Sequence, residues 1–173
     1  MLYNKTWIDG LKCVQIFIVY FSFFVFVLLI LGRVFALYLK GVNMEEILKE
    51  LFVIEQIASD IHYNFPSGKS YFAVHKLMDE VREPICGFAD DIKEIIYLGH
   101  NEPAPNSKEI VEGSLSLYPI SADLPNLVSL MTKTIQSVEN VKSELDSGSA
   151  KVMDDIAAHL LKYRGLVTKS LDI

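Results

Sequence analysis

His75 with Asp79, and Asp155 with His159, are the residues of this chain whose types and spacing best suit chemistry. Each is an i, i+4 pair, so a helix would set two metal ligands one turn apart. The other two histidines, His62 and His100, share no close ligand spacing with either pair. A carboxylate-bridged di-iron bundle would need Glu-x-x-His repeats on inward faces, and the chain has none. The two pairs therefore read as solvated contacts on helix surfaces.

Other motifs are weaker. Asp90, Asp91 and Glu94 follow Cys86-Gly87, but they fall on the side of a helix opposite Ile85, Phe88 and Ile92, as a solvated face would. Cys86 itself reads as a small buried hydrophobe. Phe65-Pro66-Ser67-Gly68-Lys69-Ser70 ends in the Gly-Lys-Ser of a phosphate-binding loop, yet Tyr63 stands where the first glycine is required and a helix precedes it. There is no Cys-x-x-Cys-His haem signature and no recognisable Ser or Cys nucleophile motif. The expectation is no catalytic, cofactor-binding or metal-binding residue, no cofactor, and no enzymatic activity.

The elements that would carry these residues are helical. Asn43 and Glu46 have the spacing of a helix cap, and Ile47, Leu48, Leu51, Ile54, Ala58 and Ile61 then recur at helical intervals up to His62–Asn64. A turn at Phe65–Gly68 follows. The stripe resumes from Ser70 through Val74, Met78, Val81, Ile85, Phe88, Ile92 and Ile96, passing Pro84 in unbroken register, which predicts a kinked or nearly coaxial pair of helices. Gly99 is a candidate C-terminal cap before the loop Gly99–Ser107. Lys108–Glu112 is a candidate helical turn, and Leu115, Leu117 and Tyr118 form a packed connection. Asp123 or Ser121 caps a long helix carrying Leu124, Val128, Met131, Ile135, Val138, Val141 and Leu145. The last helix runs from about Ser149 with Met153, Ile156, Leu160, Tyr163 and Val167 inward, and Gly165 frays its end.

Upstream, the twenty residues between Lys12 and Arg33 carry no charge, and at about 1.5 Å each they span roughly 30 Å. Trp7 and Tyr38 suit the two interfacial belts. The sequence thus predicts an all-α protein: a short tail at 1–12, a transmembrane helix at 13–40, and an acidic antiparallel bundle of about four helices at 43–173. From Asn43 onward twelve Lys/Arg face twenty-one Asp/Glu, a surface that repels phosphate backbones and argues against nucleic acid.

With a membrane address, a binding-sized domain and no reaction centre, the chain reads as a non-catalytic single-pass subunit or adaptor. It would dock other membrane or envelope proteins in a secretion, conjugation or envelope assembly, with the lipid bilayer and a homo-oligomer as further partners. A holin-like or defence effector that permeabilises membranes is the alternative. Lys5, Lys12 and the terminal amine slightly outweigh Arg33 and Lys40, which places the N-terminus on the cytoplasmic side of a bacterial inner membrane.

Overall fold

Residues 44–64 form α1, and they are buried on more of their circumference than a single stripe requires. Met44, Val53 and Ile57 join the expected Ile47, Leu48, Leu51, Ile54, Ala58 and Ile61 in the core, and Glu50 is 0% exposed. A helix buried over so much of its circumference is stable only when others surround it, and α1 is the central rod of the described bundle. The computed structural model describes residues 44–171. The expected tail at 1–12, the transmembrane helix at 13–40 and the Asn43 cap lie outside the described residues.

Around α1 stand α2 (Tyr71–Arg82), α3 (Ile85–Glu94), α4 (Ser107–Ser114), α5 (Leu124–Lys142) and α6 (Ser147–Ser170). Counting α2 and α3 as one interrupted helix, the described residues form an all-helical bundle of about five helices without a strand. The interruption falls at Pro84. Arg82, Glu83 and Pro84 carry the chain from α2 into α3 with Glu83 and Pro84 still in right-handed helical geometry, and Glu83 N–H still reaches Asp79 O at 3.0 Å. The break therefore costs hydrogen bonds but not register: Val74, Met78, Val81, Ile85, Ile92 and Ile96 all remain buried, with Phe88 partly so.

Several boundaries differ from the sequence expectation. Gly99 does not turn the chain. Ile95–Gly99 widens into a π-turn in which His100 N–H reaches Ile95 O at 3.2 Å, and Asn101, at φ 55°, takes the left-handed position instead. Asparagine tolerates that region better than most residues because its short amide side chain bonds locally. The candidate turn near Lys108 is a two-turn helix, α4, begun by a reciprocal capping box. Asn106 Oδ1 accepts from Glu109 N–H at 3.1 Å and Glu109 Oε2 accepts from Asn106 N–H at 2.8 Å.

Asp123 caps α5 as expected, accepting from Asn126 N–H at 2.9 Å. The buried face of α5 is rotated from the expected one: Leu127, Leu130 and Thr134 are buried, while Val128 and Ile135 are only partly covered. Asp146 accepts from Gly148 and Ser149 N–H, so Gly148 lies inside the first turn of α6 and not in the loop before it. Gly165 does not fray α6, which continues to Ser170. Cys86 is exposed and not buried, because it lies a third of a turn round α3 from the Ile85–Ile92–Ile96 row that faces the core.

Candidate functional site

The short turn at 65–70 folds the end of α1 back against the start of α2, and this brings His62 to the His75–Asp79 pair. The three side chains offer ligand atoms that all lie within 4.8 Å of one another. His62 comes from the last turn of α1, His75 and Asp79 from successive turns of α2. Their burial is graded: His62 is 7% exposed, His75 half-buried, and the Asp79 side chain 57% exposed.

The two imidazoles are stacked, with ring centroids 3.6 Å apart and planes 30° from parallel. Each Nδ1 points at the other residue's backbone carbonyl, His62 Nδ1 to His75 O and His75 Nδ1 to His62 O, both at 3.2 Å. Those reciprocal contacts fix the proton on Nδ1 in each neutral ring and leave each Nε2 lone pair for a ligand bond. His62 Nδ1 also lies 3.1 Å from Asp79 Oδ1, and Arg82 Nη1 lies 4.0 Å from the same oxygen. Arg82 is held in turn by Glu55 of α1, Nε to Oε1 at 3.2 Å. Tyr71 stacks on the outer face of His75 at 5.4 Å. Tyr63 and Phe72, 71% and 81% exposed, flank the cluster with apolar surface.

The other candidate residues lie elsewhere. Asp155 pairs with Lys151 at 2.7 Å and not with His159. His159 Nε2–H donates to Val81 O at 3.2 Å, at the end of α2 where Pro84 interrupts the helix, and its ring packs between Phe88 and Tyr163. Burial holds the His159 pKa below its ordinary value, against the Val81 carbonyl, which favours the charged form. Asp90, Asp91 and Glu94 are exposed on α3, as the stripe required, and none has an ion-pair partner among the described residues. Gly68-Lys69-Ser70 lies in the α1–α2 turn, preceded by a helix, and is no phosphate loop. His62 is the residue that sequence spacing did not connect to a site. Its signal is spatial: it closes α1 just before the turn whose length decides what it meets.

Two imidazoles and one carboxylate with open coordination positions are the donor set of non-haem ferrous sites. The bundle interior, by contrast, is apolar where a carboxylate-bridged di-iron centre would sit, with Glu50, His62, Ser114 and Thr134 as the buried polar residues among those described.

No known protein family matches the sequence, and no curated protein does. Solved structures do. A C-terminal deletion mutant of Mycobacterium smegmatis Dps superposes with a TM-score of 0.63 at 19% identity, over 78% of this chain and 98% of that one. A point mutant of Mycobacterium smegmatis Dps1 gives 0.61 at 19% identity, over 78% and 96%. The tetragonal form of Mycobacterium smegmatis Dps gives 0.57 at 20% identity, over 74% and 85%.

These findings correct the functional expectations. No helix among the described residues is long and apolar enough to cross a membrane, and the neighbours of the bundle are Dps proteins. The non-catalytic membrane adaptor and its permeabilising alternative do not hold. Neither do the membrane, envelope and bilayer partners or the single-pass inner-membrane location. The expectation of no enzymatic activity is not supported either, since the neighbours of the bundle are Dps proteins. The described bundle is, in architecture, similar to Dps.

Proposed function

We propose that this chain is a Dps-like iron-binding protein that takes ferrous iron as its substrate at His62, His75 and Asp79 and oxidises it there. The observation that carries the reading is the clustering of two imidazoles and one carboxylate whose ligand atoms all lie within 4.8 Å of one another. Imidazole and carboxylate both suit iron, and three protein ligands leave room for water or an oxidant.

Three ligands at an exposed edge are an incomplete shell, and the exposed aromatic rings beside them call for cover. Asp90 and Glu94 form an i, i+4 carboxylate pair on the outward face of α3. Asp90 lies eleven residues beyond Asp79, roughly 16 Å along the helix direction, too far to serve its own histidines. A two-fold pairing of α2–α3 with a second copy would bring the pair to the partner's histidines, and the same contact would repeat in reverse. A homodimer with two shared iron sites is therefore part of the proposal.

The test is an anaerobic titration with cobalt(II) as a spectroscopic substitute for ferrous iron, followed by ferrous iron and oxygen. Wild type is expected to show cobalt ligand-field bands and to oxidise iron faster than buffer. His75→Ala should weaken cobalt binding at least tenfold. Mixing His62→Ala/His75→Ala with Asp90→Asn/Glu94→Gln chains should restore part of the activity that each lacks alone. Unchanged cobalt binding in His75→Ala would sink the site, and a mixture as inactive as its components would sink the shared arrangement.

A further inference from the structure

Between α1, α3 and α4 lies a second concavity of about 220 Å³ that the iron reading does not use. Its floor is apolar, made by Leu48 and Phe52 of α1, Ile85 and Ala89 of α3, and Ile110 and Val111 of α4. Two charged residues line it. Glu55 is already committed to Arg82 at 3.2 Å, whereas Lys93 has no carboxylate partner among the described residues. The uncompensated charge in the groove is thus positive, in a chain of net charge −6. Ser107, the first residue of α4, is another lining group able to donate a hydrogen bond.

Along α3 the lining residues Cys86, Ala89 and Lys93 follow one another at helical spacing. From Cys86 to Lys93 is two turns, about 10.5 Å. An apolar lining along that row of α3, with the uncompensated Lys93 at the row's C-terminal end, fits an extended chain with an anionic head. We infer that this groove is a binding site for a free medium-chain carboxylate of about eight carbons. Its head would pair with Lys93 and its tail would lie over Ala89 and Phe52 toward Cys86. Desolvation of the tail supplies the affinity, and the lysine sets the preference for an anion.

Cys86 provides a local readout. In the full chain, maleimide labelling of Cys86 is quantified by peptide mass spectrometry, with free glutathione as the internal reference, in the presence and absence of octanoate below its micelle concentration. Octanoate is expected to slow labelling of Cys86 at least threefold, saturably, and to leave the glutathione reference unchanged. Lys93→Met should weaken that protection about tenfold, and Ala89→Phe, which fills the trough and keeps the lysine, should abolish it. Circular dichroism of both variants must match wild type, and two independent variants keep the test decisive if one misfolds.

Absence of protection, equal protection by octyltrimethylammonium, or full protection in Lys93→Met would overturn the inference. Two further outcomes would do the same. Cys86 that is unreactive without octanoate would mean that another copy covers the groove. Protection by phosphatidylglycerol vesicles but not by octanoate would point to a lipid surface. Cobalt binding at His62 and His75 does not enter this readout, so failure of the iron proposal and failure of this one are distinguishable.

Discussion

His159 links α6 to the point where α2 is interrupted, and its titration has a definite sign. Burial lowers its pKa in the folded protein below 6.5, its ordinary value, so the unfolded chain binds a proton first as pH falls. Its contribution to stability is complete above pH 6.5 and is lost as pH drops from 6.5 toward the lowered value. Between pH 7.5 and 5.5 the urea midpoint of wild type is expected to fall more than that of His159→Gln, which keeps a donor for Val81 O but cannot titrate. Equal falls would show that His159 has no part in the acid sensitivity. Glu50 raises a different issue at the same scale. It is fully buried; Oε1 meets Lys133 Nζ at 3.0 Å and Ser137 Oγ at 3.3 Å, and Oε2 has no partner. Lys133→Met would leave this carboxylate buried without its cation, and a loss of about 3 kcal/mol is expected from denaturant unfolding. Glu50→Met/Lys133→Met should recover most of it, because the paired charges, once removed together, leave nothing to desolvate. A double variant no more stable than the single one would show that packing, not charge, dominates there.

The helices obey the same local rules with different outcomes. Pro84 interrupts one helix and begins the next, and beside the break the carbonyl of Val81 is met by His159 from another helix. α4 has only eight residues and depends on its cap. Asn106→Ala removes the side-chain half of the reciprocal box, the acceptor for Glu109 N–H, and is expected to cost about 1 kcal/mol. Hydrogen exchange should localise the loss to Ser107–Ser114, and uniform loss over the bundle would argue against an independent α4. On α3, Phe88 is partly buried and packs its ring against His159, while Asp91 is exposed. Phe88→Asp is expected to lower the urea midpoint clearly and Asp91→Ala scarcely at all, since the first drives an unpaired charge against apolar neighbours. Equal midpoints would show that the face of α3 is misassigned.

At the scale of the molecule, the bundle has one apolar interior and places its chemistry on the surface. The buried residues are aliphatic or methionine apart from Glu50, His62, Ser114, Thr134 and Tyr163 among those described, and the histidine cluster sits at an edge rimmed by exposed aromatic rings. In the proposed homodimer a site placed so is completed by the second copy. That homodimer is expected to be visible in sedimentation at micromolar concentration, and Phe72→Glu should shift it toward monomer while leaving helical content unchanged. A monomer that still binds cobalt as tightly as wild type would show that the three residues suffice alone.

The sequence by itself determined the helices. Apolar residues three and four apart marked α1, the α2–α3 pair, α5 and α6, and Asp123 was legible as a cap, because periodicity and capping are local properties of a chain. Fine boundaries were less legible. Gly99, Gly148 and Gly165 suggested stops, but backbone hydrogen bonds and neighbouring caps at Asn101 and Asp146 set the ends instead. The buried face of α5 and the full enclosure of α1 depended on which helices lie around them, and no single stripe records that. The site was half legible. His75 and Asp79 were recognisable as ligand-spaced residues on one helix, but two residues a turn apart are common on solvated surfaces and carry no chemistry alone. Only the tertiary structure added His62, thirteen residues upstream, by folding α1 back on α2. The fold brings one ligand atom from each of the three within 4.8 Å of the others, and that is what makes three unremarkable side chains the proposed ligand set.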